Sequence, residues 1–171
     1  MRKKKNIILV LGFFAAHLAT AQSLKSVLLD QLRSTHDKEN WFVPVSSALE
    51  GLTAEQAAWS DGSGNHSVGQ LANHLLFWNE RQLQKFRGQP STPFNGNNDK
   101  TFNAFTKEQW AETVKSLLSV LSDLEKTVEN ADEASLKSWA ETIANISAHN
   151  AYHTGQIIYV RKLQGSWNPK K

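Results

Sequence analysis

The chain contains no cysteine. That excludes disulfides, thiolate nucleophiles, thiolate metal ligands and an amino-terminal lipid-modified cysteine. Any metal must therefore be held by nitrogen or oxygen donors. No G-x-S-x-G occurs, so the strained elbow that presents a serine nucleophile is missing. No stretch alternates apolar and polar residues over a useful length, and no internal repeat is present, which argues against sheets and repeat arrays. A membrane span is also lacking: the apolar run from Ile7 to Leu18, interrupted by His17, is too short to cross a bilayer comfortably.

Excess charge is missing too, once the front end is set aside. Arg2, Lys3, Lys4 and Lys5 precede that apolar run, and Ala19-Thr20-Ala21 follows it with small residues where a signal peptidase reads. This is the pattern of a secretory signal peptide, residues 1–21, cleaved between Ala21 and Gln22. The mature protein is accordingly expected to be exported, periplasmic or secreted. Cleavage removes four cations and no anions, so the formal charge of +3 becomes −1, with 15 basic residues against 16 acidic ones. A nucleic-acid partner is not expected, because phosphate binding needs a clustered basic surface. Residues 22–171 are long enough for one domain with a real core.

What remains is helical in its periodicity. Leu24, Val27, Leu28 and Leu32 mark the apolar side of a first helix beginning near Ser23, and steps of four extend that side to His36 and Asn40. Pro44 is expected to kink or interrupt it, since proline lacks the amide an interior turn requires. Val45, Ala48 and Leu49 continue to Gly51. Thr53-Ala54-Glu55-Gln56 reads as a capping box, in which the side chains of the first and fourth residues bond each other's backbone amides. Ser67-Val68-Gly69-Gln70 is a second box and opens a helix whose stripe is Leu71, Leu75 and Trp78, with His74 beside it. Gly88-Gln89-Pro90 ends that helix, and residues 89–105 form a long loop, which is either a lid or binding loop or else disordered.

Thr106-Lys107-Glu108-Gln109 reads as a third box. Trp110, Val114, Leu117, Leu121, Leu124 and Val128 then keep a steady three-four spacing. Ser138-Trp139-Ala140-Glu141 is expected to cap the last long helix, which stops at Gly165. On it Ile146, His149, Asn150, His153, Ile157, Val160 and Gln164 share a face, with Arg161 and Lys162 pointing elsewhere. Four amphipathic helices give an all-α, antiparallel-type four-helix bundle.

His149 and His153 stand one turn apart on the inward face, where two imidazoles can converge on one metal ion. The same placement also suits two hydrogen-bonded core histidines, and spacing alone does not separate the two. His36 is expected to be a core or surface histidine rather than a ligand, and His66 a loop residue. Trp78 and Tyr152 are expected to pack, with a substrate slot as the alternative. No Asp or Glu on these stripes presents itself as a general base.

Three segments together resemble the DinB-like (YfiT-like) superfamily of metal-dependent four-helix-bundle proteins. They are Ala48-Leu49-Glu50-Gly51-Leu52-Thr53-Ala54-Glu55-Gln56-Ala57-Ala58-Trp59, Ser67-Val68-Gly69-Gln70-Leu71-Ala72-Asn73-His74 and His149-Asn150-Ala151-Tyr152-His153-Thr154-Gly155-Gln156. The resemblance covers about residues 24–167. It implies that His74, His149 and His153 bind one divalent metal at one end of the bundle. Zinc suits such all-nitrogen ligation, and nickel, iron and manganese are compatible. Asn150 and Gln156 would then orient imidazoles or hold ligands, or else satisfy helix backbone ends. The expected function is that of a metal-dependent hydrolase or group-transfer enzyme acting on a small molecule; the alternative is a non-catalytic metal- or ligand-binding bundle. Homodimerisation is left open.

Overall fold

The computed structural model describes residues 22–90, 93–102 and 105–168, so the expected signal peptide lies outside the described residues. Among them the chain forms six α-helices and no strand. These are α1 (Leu24–His36), α2 (Val45–Leu49), α3 (Ala54–Ala58), α4 (Val68–Phe86), α5 (Trp110–Asn130) and α6 (Glu133–Leu163), with a short 3-10 turn at Asn98–Thr101.

Local chemistry accounts for most of the boundaries. Ser23 caps α1 by accepting the Ser26 amide. The helix ends at His36, so Asn40 lies in the connection, where its side-chain amide donates to Ser34 Oγ at 2.9 Å. Pro44 interrupts the segment as expected and opens α2. Both expected boxes at Thr53/Gln56 and Ser67/Gln70 form, each with its two reciprocal bonds. Gly88 and Gly165 follow α4 and α6 at φ +64° and +76°, a conformation that favours glycine.

Two starts differ from expectation. The Thr106 box does not form: the Gln109 and Trp110 amides already donate to the carbonyls of Thr106 and Lys107, and the Thr106 hydroxyl meets only the Gln109 side chain. The last helix starts not at Ser138 but at Glu133, because Asp132 accepts the Ser135 amide at 2.7 Å. An earlier acceptor satisfies the free amides first, and Ser138 is left on an exposed helical surface.

The long helices in contact are α4 with α5, α5 with α1, α1 with α6, and α6 with α4. Side-chain pairs give their directions. Phe86 stacks on Trp139 while His74 meets His149, so α4 and α6 are antiparallel. Arg87 pairs with Asp123, whereas Gly69 lies against Phe105 just ahead of α5, so α4 and α5 run parallel. The bundle is therefore not a simple alternation of up and down helices. Between the two helices, Phe94 lies beside Phe77, Asn98 beside Trp78, Thr101 beside His74 and Phe105 beside Gly69, so the connection returns along the length of α4, which explains why it is long.

The core is aliphatic, with Leu75, Leu117, Leu124, Ile143 and Ile157 fully buried. Within it, Asn79 and Asn150 face each other across α4 and α6, and each amide donates to the other's oxygen, at 2.8 and 3.1 Å. Arg161 is a second buried polar group and a departure from its expected outward position. Its guanidinium donates to the carbonyls of Ala48 and Ser166, at 2.6 and 2.9 Å, and lies over the Trp167 ring. The arginine ties the end of α6 to α2, which apolar periodicity does not reveal. No helix among the described residues is long and apolar enough to cross a membrane.

Candidate metal centre

His74 sits two turns into α4, and His149 and His153 stand one turn apart on α6. The antiparallel packing of these helices brings the three rings together, with one potential ligand nitrogen from each within 4.8 Å of the others. His74 Nε2 and His149 Nε2 are 3.1 Å apart. Two nitrogens bound tetrahedrally to one ion at about 2.0–2.1 Å would be separated by about 3.3 Å. That pair is thus nearly at ligating separation, and the third nitrogen lies within 4.8 Å of both.

Two rings are held by acceptors on their far side. The Thr101 hydroxyl donates to the Asn98 carbonyl at 2.6 Å, so its oxygen is left to accept from Nδ1 of His74, at 2.5 Å. His153 Nδ1 donates to Gln156 Oε1 at 2.6 Å, and the Gln156 amide nitrogen donates to the Tyr152 hydroxyl at 3.2 Å. In the neutral state both rings therefore carry their proton on Nδ1 and present a bare Nε2.

Burial reinforces neutrality. It pushes His74 down to about 3, and the neighbouring His153, His149 and His66 act in the same direction. It pushes His149 down to about 4, aided by His153. His153 is also lowered, again chiefly by burial, with the Gln156 hydrogen bond opposing the shift. All three are neutral at pH 7, the form a metal requires.

The histidines form one end of a cavity of about 630 Å³ between α4 and α6. Phe102 closes the site from the returning connection. Its ring is stacked between His74 and His66, with centroids 3.9 Å from each. His66 lies in a loop, as expected, and is a support behind Phe102. His36 belongs to a different group, where its Nδ1 meets Glu125 Oε1 at 2.6 Å. Asn150 is occupied by Asn79 rather than by an imidazole, whereas Gln156 does orient one. Trp78 lines the cavity, half-buried. Tyr152 departs from its expected packing role: it is 63% exposed at the cavity wall, where it steadies Gln156. No Asp or Glu is among the described residues that line the cavity.

Thr101 and Phe102 did not stand out in the sequence. They lie on an irregular connection with no periodicity to place them, and only its return along α4 brings them to His74. Comparison with curated proteins and with solved structures finds no match. Comparison with family models matches residues 45–157 to the DinB superfamily, a span that begins at α2 and ends beyond His153. With its all-helical fold and the histidines of α4 and α6 drawn together, the chain belongs to the DinB superfamily.

Proposed function

We propose that His74, His149 and His153 hold one divalent metal ion, zinc being the best match to three neutral nitrogen donors, and that the protein is a metal-dependent hydrolase or group-transfer enzyme. The observation that carries the reading is the fate of His153. Two hydrogen-bonded core histidines would account for His74 and His149, since one Nε2 can donate to the other. His153 is different. Gln156 fixes its proton on Nδ1, and its bare Nε2 has no hydrogen-bond partner among the described residues. A lone pair so placed, on a ring in edge contact with both other histidines, suits a shared cation.

A divalent ion held by three histidines keeps a coordination position for a further ligand, and when bound it supplies Lewis acidity to a substrate carbonyl or phosphoryl group. The protein's own contribution is orientation. Thr101 and Gln156 hold two imidazoles in the required tautomer, and Phe102 with His66 fixes the His74 ring plane. The lack of a carboxylate among the described lining residues favours a second reading, a bundle that binds a metal or small ligand without turning it over.

Metal analysis of the purified protein tests the proposal. Wild type should carry about one equivalent of metal, and the His149→Ala, His153→Ala double variant should carry almost none; equal content in the two would refute it. A panel of esters, amides, phosphoesters and thiol-conjugation substrates then separates the two readings. Turnover lost with chelator and restored by metal supports an enzyme. A chelator effect confined to thermal stability, with no turnover, supports the binding bundle.

We further propose that the mature chain starts at Gln22 and works outside the cytoplasm. The basic start, apolar run and Ala19-Thr20-Ala21 support this. Intact mass in envelope and cytoplasmic fractions decides it, and finding only full-length cytoplasmic protein would overturn it.

A further inference from the structure

The cavity extends well beyond the histidines. On α4 it is lined by His74, Trp78 and Gln82, each four residues after the last. On α6 it is lined, in the opposite sense, by His153, His149, Asn145 and Thr142. Eight residues of α4 span about 12 Å, and the seven from Thr142 to His149 about 10 Å. The antiparallel helices thus form the walls of a groove with the three histidines at one end and Gln82 and Thr142 at the other, Asn145 standing about level with Trp78 part of the way along. Trp78 lies between, its indole nitrogen donating to Asn98 Oδ1 at 3.2 Å, so that the returning connection steadies the ring.

The far half has a distinct chemistry. Gln82 and Asn145 each offer a carbonyl acceptor and an amide donor, and Thr142 offers a hydroxyl. None of these three side chains hydrogen-bonds to another described residue. No Lys, Arg, Asp or Glu is among the described residues lining the groove. Gln82 and Thr142 are half-buried and Asn145 is exposed, so a charged group placed there would lose part of its hydration without gaining an opposite charge from the lining, whereas an amide or hydroxyl would exchange that water for matched partners.

We infer that the groove takes an elongated small molecule whose head lies at the three histidines and whose tail is uncharged and bears amide or hydroxyl groups received by Gln82, Asn145 and Thr142. Trp78 flanks the apolar middle of such a molecule. The inference rests on the metal reading, because the head is the part addressed to the metal. It disfavours compounds whose far end is a carboxylate or an ammonium group, and so separates this site from one built around an ionic tail.

Hydroxamates test it, since their head group chelates metal. Zinc-loaded protein would be titrated with acetohydroxamate and with three hydroxamates sharing one aliphatic spacer long enough to reach Gln82. These end in a primary amide, a carboxylate or an ammonium group. The amide-ended compound should bind about tenfold more tightly than acetohydroxamate, a gain of about 1.4 kcal/mol, and more tightly than either charged analogue. In a Gln82→Leu, Thr142→Val variant its advantage over acetohydroxamate should fall close to one. Charged tails that bind wild type as tightly as the amide would overturn the inference, as would an advantage that survives in the variant. The charge series needs only wild type, so poor folding of the variant does not remove the test. Failure of the protein to take up zinc would overturn the three-histidine reading, and this inference with it. Zinc-loaded protein that binds none of the hydroxamates, or binds them without discrimination among the tails, would overturn this inference alone.

Discussion

The Thr101 hydroxyl accepts a hydrogen bond from His74 Nδ1 at 2.5 Å, across 27 residues of chain. It can accept because its own proton is committed to the Asn98 carbonyl. A residue of the returning connection therefore sets which nitrogen of an α4 histidine is left bare.

Removing that acceptor should weaken metal binding without abolishing it. Thr101→Val should lower affinity about 10–100-fold, the usual cost of losing a partner behind a metal-bound histidine, while Thr101→Ser should stay near wild type. Competition with a chelator of known affinity measures both. Equal affinities for the Val and Ser variants would remove Thr101 from the site.

Acid should destabilise the metal-free protein through the same histidines. Their pKa values are depressed on folding, from 6.5 to about 3 for His74 and about 4 for His149. Between those limits the unfolded chain binds more protons than the native one. The stabilising contribution is therefore fully present above about pH 6.5 and is lost as pH falls toward 4 and then 3. Denaturant midpoints of chelator-treated protein between pH 7.5 and 4.5 should fall with pH, and fall less steeply in a His74→Gln, His149→Gln variant. Identical slopes would contradict the burial of these rings as neutral groups.

Gly69 should not tolerate a side chain. A Cβ there would lie 2.4–2.5 Å from the Phe105 ring, which packs on α4 just after Phe102 in the chain. Gly69→Ala should cost about 1–3 kcal/mol by overpacking, despite alanine's better helix propensity, and should also reduce metal affinity by displacing the connection. Chemical denaturation and metal titration would register the two effects. A stabilised variant would show that Phe105 moves aside freely.

Arg161 should matter for stability far from the metal. Arg161→Ala leaves the buried carbonyl of Ala48 and the half-buried one of Ser166 without their donor and removes the cover over Trp167, at a cost of about 1–3 kcal/mol. Metal stoichiometry should be unchanged. Loss of metal together with stability would mean that the end of α6 controls the position of His153.

Much of the bundle is legible in the sequence because periodicity and capping are local. Leu71, Leu75 and Leu117 declare their faces, and Ser67 with Gln70 declares a helix start. His149 and His153 share a face for the same reason. What periodicity does not carry is direction, since an amphipathic stripe reads the same whether its neighbour is parallel or antiparallel. The parallel course of α4 and α5 therefore emerges only from pairs such as Arg87 and Asp123. Arg161 lies inward against its period because a long cationic side chain can do so where carbonyls and an aromatic ring receive it. The role of Thr101 has no local signature, because it depends on where the chain returns.

The paired amides of Asn79 and Asn150 work like an index mark between two sliding rulers. If α6 slipped by one turn along α4, about 5.4 Å, leucines and isoleucines would find other apolar neighbours at modest loss. The amides would find none, and two donors and two acceptors would be stranded in the core. The energetic weight of the pair therefore falls on telling one alignment from the next, as a buried asparagine does in a coiled coil. His74 comes level with His149 only in the alignment those amides select. It follows that neither asparagine can be exchanged alone for a leucine without cost, and that replacing both could leave a stable bundle whose histidines no longer meet.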